Sequence, residues 1–255
     1  MIHKSISAQI VYIIFLAWVV SGCVHTRPPV NPVMDTKAFN LAMSAHILNH
    51  TIVSSKGTGT ARLCDNGNVK TFRFAWAAMI PDRIRITFLV SGIPAETIVS
   101  DGTRLSFVSH TGNHRTYTSY SENPDMEKYI KVPVRLSELV LILAGRLPVK
   151  NFDDAYFLPD DTSFSTVHTK NSHSSQYQEI HFSRNRLPDF IRTLGGTGIL
   201  LYEIRIIKYR HTEKNYIPVK LRLEDRTGRK LDLNMDNFIV NPPIKKPVFQ
   251  LTRSK

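Results

Sequence analysis

The stretch TFRFAWAAMIPDRIRITFLV, residues 71–90, carries the clearest structural pattern in the chain. On each side of Pro81, large apolar residues alternate with polar or smaller ones. The alternating apolar set is Phe72, Phe74, Trp76, Ile84, Ile86 and Phe88. Because successive side chains of a strand point to opposite faces, this period of two predicts two β-strands, each with one buried face.

The residues around this stretch continue the strand pattern. Asp101-Gly102 predicts a hairpin turn between strands at 95–100 and 103–109, and Thr111-Gly112-Asn113 predicts another. Residues 51–120 are therefore expected to form an antiparallel meander.

Two helices are predicted outside the meander. Asp35 is a suitable N-cap for an amphipathic helix over residues 36–49. Ser137 precedes the segment ELVLILAGRLP, in which Leu139, Val140, Ile142 and Leu143 predict a short, very apolar helix with Gly145 as its terminator.

The second half of the chain predicts further strands. Residues 150–160 are expected to be irregular, strands to resume at about 162–169 and 176–183, and a long basic loop to cover 184–197. The segments ILLYEIRIIKY, IPVKLRLED, KLDLNMDNFIV and PVFQLT should complete the sheet. The expected fold is mainly β with a few helices (α+β). A single antiparallel sheet of this size must curl, so its concave apolar face needs a cover such as the two helices.

The N-terminus predicts export and a lipid anchor. The apolar run Ile10–Val20 suits a signal peptide and is too short to span a bilayer. The sequence Val20-Ser21-Gly22-Cys23 resembles the bacterial lipobox, which implies cleavage before Cys23 and a diacylglycerol on its thiol. The predicted organisation is a signal peptide at 1–22, a lipidated Cys23 with a proline-rich tether at 23–34, and one domain at 35–255.

The charge does not single out a partner. The formal net charge is +12, and the predicted signal peptide contains only one charged residue, Lys4. Many basic residues alternate along strands, as Arg83 and Arg85 do, which is typical of solvated strand faces. Anionic lipid or an envelope polymer remains a possible partner, whereas nucleic acid is not expected for an exported lipoprotein.

The sequence contains no pattern that predicts catalysis. Neither G-x-S-x-G nor H-E-x-x-H occurs. His46 and His50 have metal-ligand spacing without an evident third ligand, and Asp153-Asp154 and Asp160-Asp161 read as a solvated acidic loop. We therefore expect no enzyme, no catalytic residue, no metal and no cofactor.

Several segments in this order resemble one family. They are the stretch GTGTARLCDNGNVKTFRFAWAAMIPDRIRITFLVSGIPAETIVSDGTRLSFVS, the helix exit AGRLP, and the terminal IPVKLRLED and NPPIKKPVFQL. Together with the lipobox they resemble LolB and its relatives, outer-membrane lipoproteins of the LolA/LolB fold. The resemblance implies an unclosed β-barrel with a helical lid, whose cavity receives lipoprotein acyl chains from a periplasmic carrier and releases them into the outer membrane. Residues 150–198 have no match in this pattern.

The resemblance also implies site residues. The expected walls of the acyl-chain cavity are Phe72, Phe74, Trp76, Ile84, Ile86, Phe88, Leu139 and Leu143. A membrane-contacting hairpin would carry Val90, Ile93 and Pro94 at its tip. The alternative is a plain type II turn at Ser91-Gly92 with Ile93 in the core.

Two functions remain open at this point. One is an outer-membrane lipoprotein of a diderm bacterium, facing the periplasm, that binds lipid or lipoprotein acyl chains and helps to localise them. The other is a structural or interaction lipoprotein that serves as a scaffold in an envelope complex without lipid transfer.

Overall fold

The computed structural model describes residues 35–111, 115–158 and 165–251. Its helices are α1 (Thr36–His46), α2 (Glu127–Ile130) and α3 (Leu136–Leu143), and a 3-10 helix covers Lys246–Phe249. The strands are β1 (Ser54–Asp65), β2 (Asn68–Met79), β3 (Arg83–Val90), β4 (Ile93–Asp101), β5 (Arg104–Ser109), β6 (Thr116–Tyr120), β7 (Asp154–Phe157), β8 (Thr166–Lys170), β9 (Gln176–Phe182), β10 (Pro188–Gly195), β11 (Leu200–His211), β12 (Tyr216–Asp225) and β13 (Lys230–Val240).

These strands form one 13-stranded sheet in the described ranges, in the order β6-β5-β4-β3-β2-β1-β13-β12-β11-β10-β9-β8-β7. The last strand returns to pair antiparallel with the first, so the two halves of the chain extend in opposite directions from the sheet centre. Strands β6 and β7 form the two edges and do not pair with each other. The predicted class, a mainly β protein with an unclosed antiparallel barrel, is confirmed.

One face of the sheet is buried from β5 across to β7, whereas the edge strand β6 is exposed throughout. In β11, Tyr202, Ile204 and Ile206 alternate with exposed or half-buried residues and share one face. Helix α3 packs on that face over the first half of the sheet, and α1 packs on it over strands β7 to β11. Both helices therefore cover the inner face.

The predicted helix boundaries were close to the observed ones. Asp35 caps α1 by accepting hydrogen bonds from the backbone N–H groups of Lys37 and Ala38, at 2.8 and 3.3 Å. The helix ends at His46, earlier than the predicted residue 49. Helix α3 begins at Leu136, because Glu138 accepts a 2.7 Å hydrogen bond from the backbone N–H of Arg135 and closes the first turn.

Polar contacts hold α3 at both ends. At its N-terminal end, Oε1 of the buried Glu138 accepts a 2.7 Å hydrogen bond from the Tyr202 hydroxyl and lies 3.4 Å from Nζ of Lys150. At its C-terminal end, the Leu143 carbonyl accepts hydrogen bonds from Ser55 Oγ at 2.6 Å and Trp76 Nε1 at 3.1 Å. The helix is thus fixed to strands on opposite sides of the sheet centre.

A further contact fixes the chain just beyond α3. Gly145 has φ +82°, as expected of a helix terminator, and its carbonyl accepts a 2.7 Å hydrogen bond from the Asn49 amide. A Cβ at this position would lie 2.8 Å from the ring of Phe238. Glycine is therefore required here both by the backbone conformation and by the close packing.

Three sequence predictions of secondary structure were wrong. The expected loop over 184–197 contains the strand β10. Pro188 and Gly195, residues that would weaken the middle of a strand, lie at its two ends and do not interrupt it. The expected irregular segment 150–160 contains the four-residue edge strand β7. The segment PVFQLT does not extend the sheet, since Pro247 lies in the 3-10 helix, where its missing N–H costs no hydrogen bond.

Other predictions fall outside the described residues. They include the signal peptide at 1–22, the lipidated Cys23, the tether at 23–34, and the part of the predicted turn at Gly112-Asn113. Among the helices that are described, none has the length and hydrophobicity to cross a bilayer.

Candidate functional site

An apolar cavity of about 330 Å³ lies between the inner face of the first half-sheet and helices α2 and α3. This volume is at the lower end of the range of ~300–1,000 Å³ that is usual for ligand sites. The lining residues are Ala61, Leu63, Lys70, Phe72, Phe74, Ile86, Phe88, Glu96, Phe107, Tyr129, Ile130, Lys131, Leu139, Leu143, Leu231 and Leu233. Thirteen of these sixteen residues are apolar or aromatic and three are charged, so the walls are mainly hydrophobic.

The sequence-predicted walls divide into two groups. Phe72, Phe74, Ile86, Phe88, Leu139 and Leu143 line the cavity. Trp76 and Ile84 are buried in the adjoining core and are not in its lining. The ring centroids of Trp76 and Phe74 are 5.5 Å apart. The indole N–H of Trp76 donates hydrogen bonds to Ser55 Oγ and to the Leu143 carbonyl at the end of α3.

Sequence reasoning missed the walls that come from other elements. These are Ala61 and Leu63 of β1, Phe107 of β5, Leu231 and Leu233 of β13, and Tyr129 and Ile130 of α2. Ala61 and Leu233 become neighbours only through the pairing of β1 with β13, across most of the chain. The period of two in KLDLNMDNFIV marks Leu231 and Leu233 as sharing one face, and this was the available signal.

The cavity opens at the end of the sheet where the β1–β2 and β3–β4 hairpins turn. Phe74 and Ile86 are buried at its inner part, whereas Phe72 and Phe88 are half-buried toward the opening and their rings lie 5.9 Å apart. Three charged residues, Lys70, Glu96 and Lys131, belong to the lining. We call this end the mouth; it combines half-buried aromatic rings with charged groups.

An open groove of about 470 Å³ adjoins the mouth. It shares Glu96, Phe107 and Tyr129 with the cavity and adds Tyr117 and Lys128. Phe107 and Tyr129 stack with their ring centroids 5.9 Å apart. The cavity and the groove thus form one continuous concave surface.

Helix α2, which forms one side of the mouth, is held by an ionic contact. The Arg229 guanidinium bridges Glu127 at 2.5 Å and Asp225 at 2.7 Å. Burial alone would raise the pKa of Asp225, but hydrogen bonds from Thr227 and Arg229 outweigh it and lower that pKa. Asp225 therefore stays ionised and keeps Arg229 in place to contact α2.

The hairpin between β3 and β4 projects beyond the mouth. Ser91 has φ +52° and Gly92 has φ +82°, which is the pattern of a type I′ turn. Val90 is 56% exposed, Ile93 is 69% exposed, and Pro94 is exposed as well. The alternative of a type II turn with Ile93 in the core is therefore wrong.

The other candidate ligands do not converge. Nδ1 of His46 lies 3.2 Å from the Val149 carbonyl, and Nδ1 of His50 lies 3.1 Å from the Ile47 carbonyl. Within residues 35–111, 115–158 and 165–251, no group of three His, Cys, Asp or Glu side chains could hold a metal ion.

Comparison with known proteins gives a fold but no sequence family. No protein-family model matches the chain, and no curated protein matches its sequence significantly. Among solved structures, a DUF1329 family protein from Desulfovibrio piger superposes with a TM-score of 0.59 at 9% identity, over 84% of this chain and 96% of that one. A LolA superfamily protein from Nitrosomonas europaea gives 0.52 at 11% identity, over 84% and 97% of the two chains.

A third solved structure is a domain from Vibrio parahaemolyticus that is provisionally described as an outer membrane lipoprotein-sorting protein. It gives a TM-score of 0.50 at 11% identity, over 84% of this chain and 96% of that one. At such identities the likeness concerns the fold alone. The chain has the LolA/LolB fold and is a divergent representative of it.

Proposed function

We propose that this chain is a non-enzymatic lipoprotein that binds lipid acyl chains in the cavity and takes part in localising lipids or lipoproteins to the outer membrane. In this proposal Cys23 carries the anchor, residues 23–34 tether the domain, and the domain faces the periplasm of a diderm bacterium. A periplasmic carrier protein would be its partner in delivery.

The observation that supports the proposal best is the apolar cavity with an open mouth. Each methylene moved from water to an apolar site contributes about 0.8 kcal/mol, so an acyl chain crosses an aqueous space only inside a protected site. Release into a bilayer then requires a cavity whose affinity is close to that of the membrane. In this proposal the cavity is the protected site, and the exposed apolar hairpin beside its mouth is the contact with the membrane during release.

The first experiment tests occupancy of the cavity. The full chain with Cys23→Ser, which cannot carry a covalent lipid there, would be purified from an envelope-bearing host and examined by native mass spectrometry and lipid extraction. We expect lipid to co-purify at near one-to-one stoichiometry. An empty protein that also fails to take up a fluorescent fatty acid would reject the proposal and favour a scaffold without lipid transfer.

Neighbouring residues of β3 provide a matched pair of variants. Phe88 lines the mouth, whereas Leu89 follows it in the strand and points to the opposite face, and both are half-buried. Phe88→Glu should abolish fatty-acid uptake, because it places a carboxylate among the apolar walls. Leu89→Glu should retain uptake. Equal uptake by both folded variants would remove Phe88 from the site.

The hairpin tip is proposed to contact the membrane during release. The double variant Val90→Ser with Ile93→Ser keeps the cavity lining and removes two of the three exposed apolar side chains of the tip, leaving Pro94. We expect unchanged fatty-acid binding and slower transfer from the protein to phospholipid vesicles. Transfer at the original rate would exclude this role for the hairpin.

A further inference from the structure

The mouth of the cavity carries an excess of positive charge that the protein itself does not balance. Lys70 and Lys131 line the cavity, Lys128 lines the adjoining groove, and Glu96 is common to both. In the described ranges, none of the ion pairs involves any of these four residues. The mouth and the adjoining groove together therefore hold three cations and one anion without a fixed partner in the described ranges.

This charge is concentrated by the local backbone. Lys128 lies in α2 and Lys131 is its C-cap, with φ +64° in the left-handed region that glycine or asparagine adopts more readily. Both lysines thus lie at the end of one short helix beside the same opening, and like charges close together repel each other. An anion bound between the lysines would relieve this repulsion.

The position of the charge limits the kind of ligand. It surrounds the opening of a hydrophobic cavity, so a ligand that fits both parts has apolar chains and an anionic group at their end. A diacylglyceryl cysteine, the lipidated end of a lipoprotein, carries no phosphate. A glycerophospholipid has acyl chains joined through glycerol to a phosphate, and this order matches the order of cavity and lysines.

We infer that the ligand is a glycerophospholipid, whose acyl chains enter the cavity and whose phosphate is bound by Lys70, Lys128 and Lys131. This inference rests on the proposed function and specifies its ligand class. Glu96 would accept a hydrogen bond from a headgroup amine or alcohol. Phospholipid binding should weaken as salt concentration rises, because the contacts at the mouth are solvent-accessible.

The test compares lipids with the same chains and different headgroups. Short-chain phosphatidylglycerol, phosphatidylethanolamine and dioctanoylglycerol would be titrated against the full chain with Cys23→Ser. The variant Lys70→Gln, Lys128→Gln and Lys131→Gln would be measured beside a control, Lys56→Gln, Lys208→Gln and Lys220→Gln. The control lysines are exposed on the outer face, and their substitution changes the net charge by the same amount.

We expect the variant with Lys70, Lys128 and Lys131 replaced to bind the phospholipids about tenfold more weakly, because it lacks three solvent-exposed charge contacts. Its binding of dioctanoylglycerol, which carries no phosphate, should be unchanged. The control variant should match the parent. Equal affinity of the parent for phospholipid and dioctanoylglycerol, or no effect of the mouth substitutions, would overturn the inference and leave acyl-chain binding intact. Failure of the parent to bind any of the three lipids would instead overturn the proposed function.

Competition with inorganic phosphate shows whether the site binds the whole phospholipid or only a phosphate group. We expect inorganic phosphate to compete with phosphatidylglycerol only weakly, because it gains nothing from the apolar walls. Binding of inorganic phosphate as strong as that of the phospholipid, with the same loss in the mouth variant, would overturn the assignment to a lipid.

Discussion

Substituting Ala61 by leucine tests whether the cavity is open in solution. Ala61 is 3% exposed, lines the cavity, and lies between Phe72 of β2 and Leu233 of β13 in the sheet register. A leucine side chain adds three carbon atoms to that of alanine, and in an empty apolar space all of them are buried without displacing a neighbour. The substitution should therefore stabilise the fold and occupy room that the ligand needs.

The magnitudes follow from apolar burial. Three buried carbons contribute about 2.4 kcal/mol, and the side-chain entropy lost by leucine reduces the net gain to roughly 1.5 kcal/mol. For a domain of this size that gain corresponds to a Tm increase of about 3–6 °C. An acyl chain that loses contact space for about three methylenes should bind roughly 50-fold more weakly.

Ala78→Leu is the matched control. Ala78 lies in β2, is fully buried in the same core, and is absent from the cavity lining. Added carbons must displace neighbours there, so this variant should lose about 1–3 kcal/mol while ligand binding is kept if it folds. Thermal unfolding and fatty-acid titration of both variants measure the two effects. A Tm decrease for Ala61→Leu as large as for Ala78→Leu would refute an open cavity.

Two further predictions concern titration and the anchoring of α3. His168 is stacked between Tyr156 and Tyr177 with ring centroids 4.8 and 4.4 Å away, and burial lowers the pKa of His168 to about 4. In the unfolded chain the His168 imidazole binds a proton near pH 6.5, whereas in the folded protein it does so only near pH 4, so stability falls as the pH drops from 6.5 to 4. His168→Phe should flatten this part of the curve of Tm against pH. An unchanged slope would contradict the prediction. Tyr202→Phe removes the hydroxyl that donates a hydrogen bond to the buried Glu138 carboxylate. It should lower the free energy of unfolding in urea by about 1.5–3 kcal/mol. A decrease below roughly 0.5 kcal/mol would mean that Glu138 does not depend on Tyr202.

The sequence predicted the inner face of β2 and β3 but not the depth of each residue along it. Phe74, Trp76, Ile84 and Ile86 all alternate onto the buried face, yet Phe74 and Ile86 line the cavity while Trp76 and Ile84 do not. Alternation fixes the side of the sheet on which a residue lies. Whether a residue on that side lines the cavity or lies in the adjoining core depends on where α3 packs along the strand. The local sequence pattern contains no information about that packing.

The walls supplied by β1 and β13 show a second limit. Leu231 reaches the cavity because β13 pairs with β1, and Ile130 because α2 is held at the mouth by Arg229. Both placements depend on contacts between distant parts of the chain. The segment 184–197, which was expected to be a basic loop, contains β10, and Pro188 and Gly195 lie at the two ends of that strand, where neither interrupts its pairing.

The anchoring of α3 explains how an open cavity can persist beside a well-packed core. At ~24 cal/mol per Å³, keeping 330 Å³ of enclosed apolar space empty would cost up to ~8 kcal/mol, which is comparable to the net stability of a whole domain. The opening to solvent reduces this cost, but collapse of α3 into the space would still be favourable if the helix were free to move. Glu138 at one end and the Leu143 carbonyl at the other tie it to Tyr202, Ser55 and Trp76, so collapse would break buried polar contacts. The hydrogen bonds at the two ends of α3 therefore keep the space open for a ligand. A ligand that fills this space should raise the Tm, and the increase should grow with the ligand concentration.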